Sequence, residues 1–166
     1  MNTVAQILGS AAFLLAQCTG SSALEVIRDL DIPAPPAAVW AIIGDFCAIE
    51  RWHPQVKRCF LSEDEEDGAA ALPVRGLFTT ERESIIVEVE TDRDEGSMSY
   101  SSRLLGGPVP VKNYSSTIAV TPSGKGSLVT WRATFDADAV SDAEAVTFIA
   151  RVYERGLAAI AKEAGR

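Results

Sequence analysis

The chain has 166 residues, of which 47% are hydrophobic and 23% charged, as expected for one globular domain with a substantial core. Its formal net charge at pH 7 is −8, and its Arg and Lys residues are scattered rather than clustered. Nucleic acids and anionic membrane surfaces bind basic patches, so this charge argues against both as partners.

The first 23 residues predict a cleaved export signal. Residues 1–23 contain no charged side chain, and residues 7–16 form an apolar run too short to cross a bilayer. Small residues follow at 21–23, where a signal peptidase would cut. An uncleaved N-terminal extension and a lipid anchor on Cys18 are the alternatives. We therefore expect a single domain at 24–166 in the periplasm or outside the cell, with the cytoplasm as the alternative.

Cys47 and Cys59 would remain as an even pair after cleavage. They lie twelve positions apart, on either side of a Trp-His-Pro turn at 52–54. In an oxidising compartment a disulfide between them would close a small loop and stabilise the fold by about 3 kcal/mol. In the cytosol they would be two buried thiols. The only histidine, His53, offers too few additional ligands for a metal site, so we expect neither a metal nor another cofactor.

The pattern over 24–54 predicts one strand followed by two short helices. Apolar and acidic side chains alternate over 24–32, which is typical of a half-buried strand. Two prolines at 35 and 36 stand at a helix start, where a missing N–H costs nothing. The next apolar residues share one helical face: Val39, Ile42, Ile43 and Phe46. Gly44 ends this helix, and a second helical turn follows.

Six more strands are predicted, at 55–61, 72–78, 83–91, 97–105, 111–121 and 128–137. Close strands joined by short turns indicate an antiparallel sheet. In the strand at 83–91, apolar residues alternate with Glu88 and Glu90. In the last three strands, alternation places several side chains on one concave face: Tyr100, Ser102, Tyr114, Ser116, Trp131 and Phe135.

The final segment predicts a long helix. Ser141 and Glu144 form a capping box at its start. Its apolar stripe consists of Ala145, Ile149, Val152, Tyr153, Leu157, Ile160 and Ala164. Gly156 inside the helix costs about 1 kcal/mol relative to Ala, which suggests close approach to the sheet or to something inside it.

These elements predict an α+β helix-grip fold. A curved antiparallel sheet of about seven strands surrounds the C-terminal helix, and two short helices follow the first strand. The helix cannot fill a strongly curved sheet, so a cavity is expected between the two. Concave apolar cavities with a few polar groups are the usual ligand sites.

Four groups of residues carry a resemblance to known proteins: 34–40; 44–47 with 52–54; 107–111 with 113–114; and 142–145 with 153–157. Together they resemble the START-like, or SRPBCC, superfamily, specifically its bacterial polyketide cyclase/dehydrase-like branch. The resemblance implies binding of lipids, polyketides or hormones, and only some members are enzymes. Small exported members with a cysteine pair are familiar in this branch. Relatives often have Glu-Arg in mid-strand where this chain has Ile86-Val87, which implies one inward carboxylate fewer.

Few residues are candidates for chemistry. Polyketide cyclisation or dehydration needs a buried general acid or base. His53 precedes a proline in a turn, where a structural hydrogen bond is the better interpretation. Arg75 could face the cavity and bind a carboxylate or enolate oxygen, or it could face solvent. Both are weak catalytic candidates, and the chain is not expected to be an enzyme on these residues alone.

The leading hypothesis is a domain that binds, and in one version transports, a hydrophobic or amphipathic small molecule between the sheet and the long helix. Tyrosines present apolar rings with hydroxyls that can hold a ligand oxygen. The predicted pocket consists of Tyr100, Tyr114, Trp131, Phe135, Ile149, Tyr153 and Gly156. One alternative is a cyclase or dehydratase acting on an aromatic or lipid-like substrate. Another is an accessory protein that docks to an exported partner.

Overall fold

A computed structural model describes residues 23–64, 71–80 and 84–166, which form seven strands and three helices. The predicted export signal lies outside the described residues apart from Ala23, and so does Cys18. The strands are Leu24–Ile32 (β1), Val56–Asp64 (β2), Leu72–Thr79 (β3), Ile85–Asp94 (β4), Ser99–Gly106 (β5), Val111–Ser123 (β6) and Gly126–Ala137 (β7). The helices are Pro36–Ile43 (α1), Ile49–Trp52 (α2) and Asp142–Ala164 (α3). The predicted order of elements is confirmed.

All seven strands belong to one antiparallel sheet with the order β1-β7-β6-β5-β4-β3-β2. From β2 to β7 each strand pairs with the next one along the chain, as short hairpin turns require. The two edge strands, β1 and β2, are connected by α1 and α2. Register shifts interrupt the β2–β3, β4–β5 and β6–β7 pairings. Such irregularities bend strands, which lets the sheet curve around α3.

The helix ends form as the sequence predicts. Pro36 occupies the start of α1, and the Asp45 carboxylate after its end accepts the Cys47 N–H at 2.8 Å. At the start of α3, the Ser141 hydroxyl accepts the Glu144 N–H at 3.3 Å, and the Ser141 N–H donates to the Glu144 carboxylate at 2.9 Å. This reciprocal capping box satisfies two N–H groups that would otherwise lack partners.

The core lies between the concave face of the sheet and α3. All six side chains predicted to share that face are buried: Tyr100, Ser102, Tyr114, Ser116, Trp131 and Phe135. The helix contributes Ala145, Ile149, Tyr153, Leu157 and Ile160 to the same core. These residues confirm the helix-grip architecture, in which one long helix packs into a curved sheet.

A disulfide joins Cys47, between α1 and α2, to Cys59 on β2, with the two Cα atoms 5.5 Å apart. The Cys59 N–H also donates to the Glu50 carboxylate at 2.7 Å. Both contacts attach the helix pair to the edge strand β2. Within the described ranges, no helix is both long and apolar enough to cross a membrane.

Removing this disulfide should lower the free energy of unfolding by about 3 kcal/mol, because it closes a loop of twelve residues in the unfolded chain. Urea unfolding of the double variant Cys47→Ser/Cys59→Ser under oxidising conditions measures the loss. Adding a reductant should bring the wild type to the same stability and leave the double variant unchanged. Equal stability of oxidised and reduced wild type would contradict the prediction.

Candidate ligand-binding cavity

A cavity of about 570 Å³ lies between the concave face of the sheet and α3. This volume is in the range of small-molecule sites. Most of its wall is apolar and comes from strands β3 to β7, from α3 and from the loops beside them: Leu77, Ile86, Leu104, Val109, Val111, Trp131, Phe148, Ile149 and Val152. Exposed residues at 108 and 138–140 mark its opening. The cavity expected between the sheet and the long helix is therefore present.

A buried ion pair of Arg75 and Glu88 contributes the charged part of the wall. Arg75 Nε and Nη2 donate to Glu88 Oε2 at 2.8 and 2.6 Å, and Nη1 donates to the Phe46 carbonyl at 2.6 Å. The guanidinium also lies over the Phe46 ring, 4.1 Å from its centroid. Burial disfavours the charged guanidinium, but Glu88 outweighs it and raises the pKa of Arg75 above its usual value. Arg75 therefore stays charged at the cavity wall.

Glu88 corrects the sequence-based expectation for β4. The chain was expected to lack an inward carboxylate here, but Glu88 is only 7% exposed and lines the cavity with Ile86. Glu88 lies directly opposite Arg75 in the β3–β4 register, and Arg75 is only 2% exposed. The signal for this arrangement was a pair of opposite charges on neighbouring strands. Alternation within β4 alone could not reveal it.

Two tyrosine hydroxyls add a neutral polar group beside the cavity. The Tyr114 and Tyr153 hydroxyl oxygens are 2.7 Å apart, and Tyr114 lines the cavity. The Tyr153 ring stacks on Trp131, with centroids 4.2 Å apart and planes 10° from parallel. Burial raises the pKa of both tyrosines above the ordinary value, so both remain neutral hydroxyls.

His53 makes hydrogen bonds through both of its ring nitrogens. It lines the cavity, but its Nε2 bonds to the Val152 carbonyl of α3 at 3.1 Å, and its Nδ1 accepts the Gln55 N–H at 3.2 Å. These partners assign the proton to Nε2. Burial lowers the pKa of His53 to about 4, despite the bond to Val152. The ring is thus neutral at pH 7, with both nitrogens engaged.

Three of the seven residues predicted for the pocket line the cavity: Tyr114, Trp131 and Ile149. The other four are buried in the core behind this wall: Tyr100, Phe135, Tyr153 and Gly156. A Cβ on Gly156 would lie 2.7 Å from the Trp131 ring and 2.9 Å from the His53 ring. Gly156 therefore permits α3 to approach the two rings that face the ligand space.

Sequence reasoning did not select several wall residues, including Ile86, Leu104, Val109 and Phe148. They are ordinary apolar side chains, and nothing in their local pattern separates a cavity wall from a filled core. No group of three or more His, Cys, Asp and Glu side chains capable of holding a metal ion is found among residues 23–64, 71–80 and 84–166.

Residues 24–165 match the family described as polyketide cyclase / dehydrase and lipid transport. The chain belongs to this family. A search of curated proteins found no match. Among solved structures, the protein XoxI from Bacillus cereus is 28% identical with a TM-score of 0.72, and the match covers 84% of this chain and 94% of that one.

Two more distant structures share the fold of this family member. A START superfamily protein from Mycobacterium smegmatis is 15% identical with a TM-score of 0.69, over 85% of this chain and 97% of that one. The Zhui aromatase/cyclase from Streptomyces sp. R1128 is 19% identical with a TM-score of 0.68, over 87% of this chain and 95% of that one. At these identities the two structures show the shared fold alone, and the family assignment rests on the match over residues 24–165.

The methyl group added by Gly156→Ala overlaps the Trp131 and His53 rings, at a cost of about 1–3 kcal/mol. Ala gains about 1 kcal/mol in helix propensity, so the variant should be less stable than the wild type by up to about 2 kcal/mol. Thermal unfolding measures the change. Ala158→Gly, at an exposed position of α3, is the matched control and should cost only the propensity difference. An increase in stability for Gly156→Ala would show that the contact is not tight.

His53 should make stability depend on pH. Its pKa is about 4 in the folded protein and 6.5 in the unfolded chain, so only the unfolded chain gains a proton between these values. The stability from the neutral buried ring is complete above pH 6.5 and is lost as pH falls towards 4, by up to about 1.4 kcal/mol per pH unit.

The measurement is the stability of the wild type minus that of His53→Gln, by urea unfolding at pH 7.5 and pH 5. Carboxylates titrate in both proteins and cancel in this difference. The advantage of the wild type should shrink at the lower pH. A difference that does not change with pH would mean that His53 titrates alike in the folded and unfolded chains.

Proposed function

We propose that this domain binds a hydrophobic or amphipathic small molecule in the cavity between the sheet and α3, and that transport is one use of this binding. The observation that carries the proposal is the composition of the 570 Å³ cavity, whose wall is largely apolar with a few polar groups. Such a wall favours an apolar molecule, and the polar groups fix its orientation.

Rigid surroundings of the cavity support binding. Trp131 is held by stacking on Tyr153, and His53 is held by one hydrogen bond that Nε2 donates and one that Nδ1 accepts. The Arg75 guanidinium is fixed by Glu88 and by the Phe46 carbonyl. Side chains that are already held in place lose little conformational entropy when a ligand arrives, so preorganisation favours affinity.

A cyclase or dehydratase is the second candidate, favoured by the buried Glu88 carboxylate and the Tyr114 hydroxyl at the cavity wall. Catalysis would require one of them to move a proton. His53 is a poor candidate because both of its nitrogens are engaged and its pKa is about 4. Glu88 Oε2 already accepts from two Arg75 donors, so that oxygen is not available to take a proton from a substrate. These contacts favour binding over chemistry.

Docking to an exported partner has less support. A protein that acts only by docking needs no interior cavity, whereas the cavity here is large enough for a ligand. Export itself we propose from the predicted signal at 1–23 together with the Cys47–Cys59 disulfide. Disulfides persist mainly in oxidising compartments, so this pair supports a periplasmic or secreted protein.

Native mass spectrometry of the protein purified from its own host tests the binding proposal directly. We expect a population with the added mass of a small apolar molecule, which organic solvent extracts. Binding of the neutral dye Nile red, followed by its fluorescence, provides an assay that does not depend on the natural ligand.

Narrowing the cavity should weaken dye binding. Leu104 on β5 lines the cavity, whereas its neighbour Leu105 points away from it and is 43% exposed. Leu104→Trp should weaken Nile red binding by about tenfold or more, because the larger ring occupies the ligand space. Leu105→Trp, on the same strand with the same change in volume, should bind like the wild type. Equal dye binding by both variants would place the dye outside the cavity.

A further inference from the structure

The Arg75 guanidinium is already bound by other groups of the protein. Its Nε and Nη2 both donate to Glu88 Oε2, its Nη1 donates to the Phe46 carbonyl, and the Phe46 ring lies against the guanidinium. An arginine that anchors an acidic ligand has an open pair of N–H groups for bidentate binding. Arg75 instead gives two donors to Glu88 Oε2, so its charge is compensated within the pair rather than offered to a ligand.

The same ion pair leaves one oxygen for a ligand. Both contacts from Arg75 end on Glu88 Oε2, and Glu88 Oε1 receives no hydrogen bond from the part of the chain that the structure describes. Glu88 lines the cavity, and an ionised carboxylate only accepts hydrogen bonds. A ligand group beside Oε1 must therefore be a hydrogen-bond donor.

Tyr114 supplies the complementary neutral group. Tyr114 lines the same cavity, and its hydroxyl pairs with the Tyr153 hydroxyl at 2.7 Å. A hydroxyl is both a donor and an acceptor, so this pair suits a ligand oxygen. A ligand hydroxyl matches Glu88 as a donor and Tyr114 as a partner of either kind. A ligand carboxylate cannot donate a hydrogen bond to Glu88 Oε1. The charge of Arg75 is already compensated by Glu88, so it does not offset the charge of the ligand.

We propose that the cavity selects neutral apolar molecules bearing a hydroxyl group, such as alcohols or phenols, and rejects the corresponding carboxylates. The inference rests on the proposed function, because it names the ligand class of that same cavity. It also differs from the sequence-based alternative in which Arg75 binds a carboxylate or enolate oxygen. A carboxylate here would lie near the Glu88 charge without an arginine free to compensate it, and the cavity opening carries a further acid at Asp138.

Two matched fluorescent probes test the selection: 1-pyrenebutanol and 1-pyrenebutanoate, which differ only in the terminal group. At pH 7.5 we expect the wild type to bind the alcohol at least about tenfold more tightly than the carboxylate, since a buried like charge opposes the latter. Fluorescence titration gives both dissociation constants. Binding of the carboxylate as tight as that of the alcohol would overturn the inference.

Variants of the ion pair should move the preference in opposite directions. Glu88→Gln keeps the shape of the side chain and frees the charge of Arg75, so carboxylate binding should strengthen by about tenfold or more. Arg75→Gln leaves the acid without its cation, so the preference for the alcohol should be at least as large as in the wild type. Circular dichroism verifies that each variant is folded. If a variant does not fold, the relative affinity of the wild type for the two probes decides whether the inference holds.

The Leu104→Trp variant separates the failure of this inference from the failure of the proposed function. Both probes should lose affinity for Leu104→Trp and keep it for Leu105→Trp. If neither probe shows binding that depends on Leu104, the proposed binding function is contradicted and the inference falls with it. If both bind in the cavity without preference, only the inference is overturned.

Discussion

The buried ion pair of Arg75 and Glu88 is the interaction on which this site depends. It joins β3 to β4 through a directly opposed cross-strand pair, and the Phe46 carbonyl adds the segment after α1 to the same guanidinium. Removing one partner from such a pair leaves an uncompensated buried charge, at a cost of about 3–5 kcal/mol. The pair therefore constrains three elements at once, and it lies at the cavity wall rather than in a filled core.

The disulfide acts on the same segment from the other side. Cys47 directly follows Phe46, and its bond to Cys59 attaches this segment to β2. The carbonyl that accepts from Arg75 is thus one residue from a covalent link. Arg75 holds the segment to β3, and the disulfide holds it to the adjacent edge strand. Because the two constraints are neighbours, the polar wall of the cavity is fixed close to the β2 edge of the sheet.

Local sequence patterns predicted most of the fold but only part of the site. Alternation in β5, β6 and β7 placed Tyr114 and Trp131 on the concave face, and the unusual Gly156 in α3 indicated a close approach, because these signals lie within single elements. Glu88 was missed because its inward position depends on Arg75 in the neighbouring strand. The wall residues Leu104 and Val109 were missed because an apolar side chain looks the same beside a cavity and inside a packed core.

The two sides of the cavity differ in how firmly they are built. On the helix side, Trp131 stacks on Tyr153, and Gly156 lets α3 approach the ring closely. At the opening, the chain turns through Gly107 at φ 140° and Ala139 at φ 57°, in short irregular segments rather than in helix or strand. A Cβ on Gly107 would lie 3.0 Å from the Ile86 backbone, so even this turn rests on a strand that lines the cavity. Selection among ligands is therefore expected at the fixed polar wall, and tolerance of ligand length at the opening, where the chain is in neither helix nor strand.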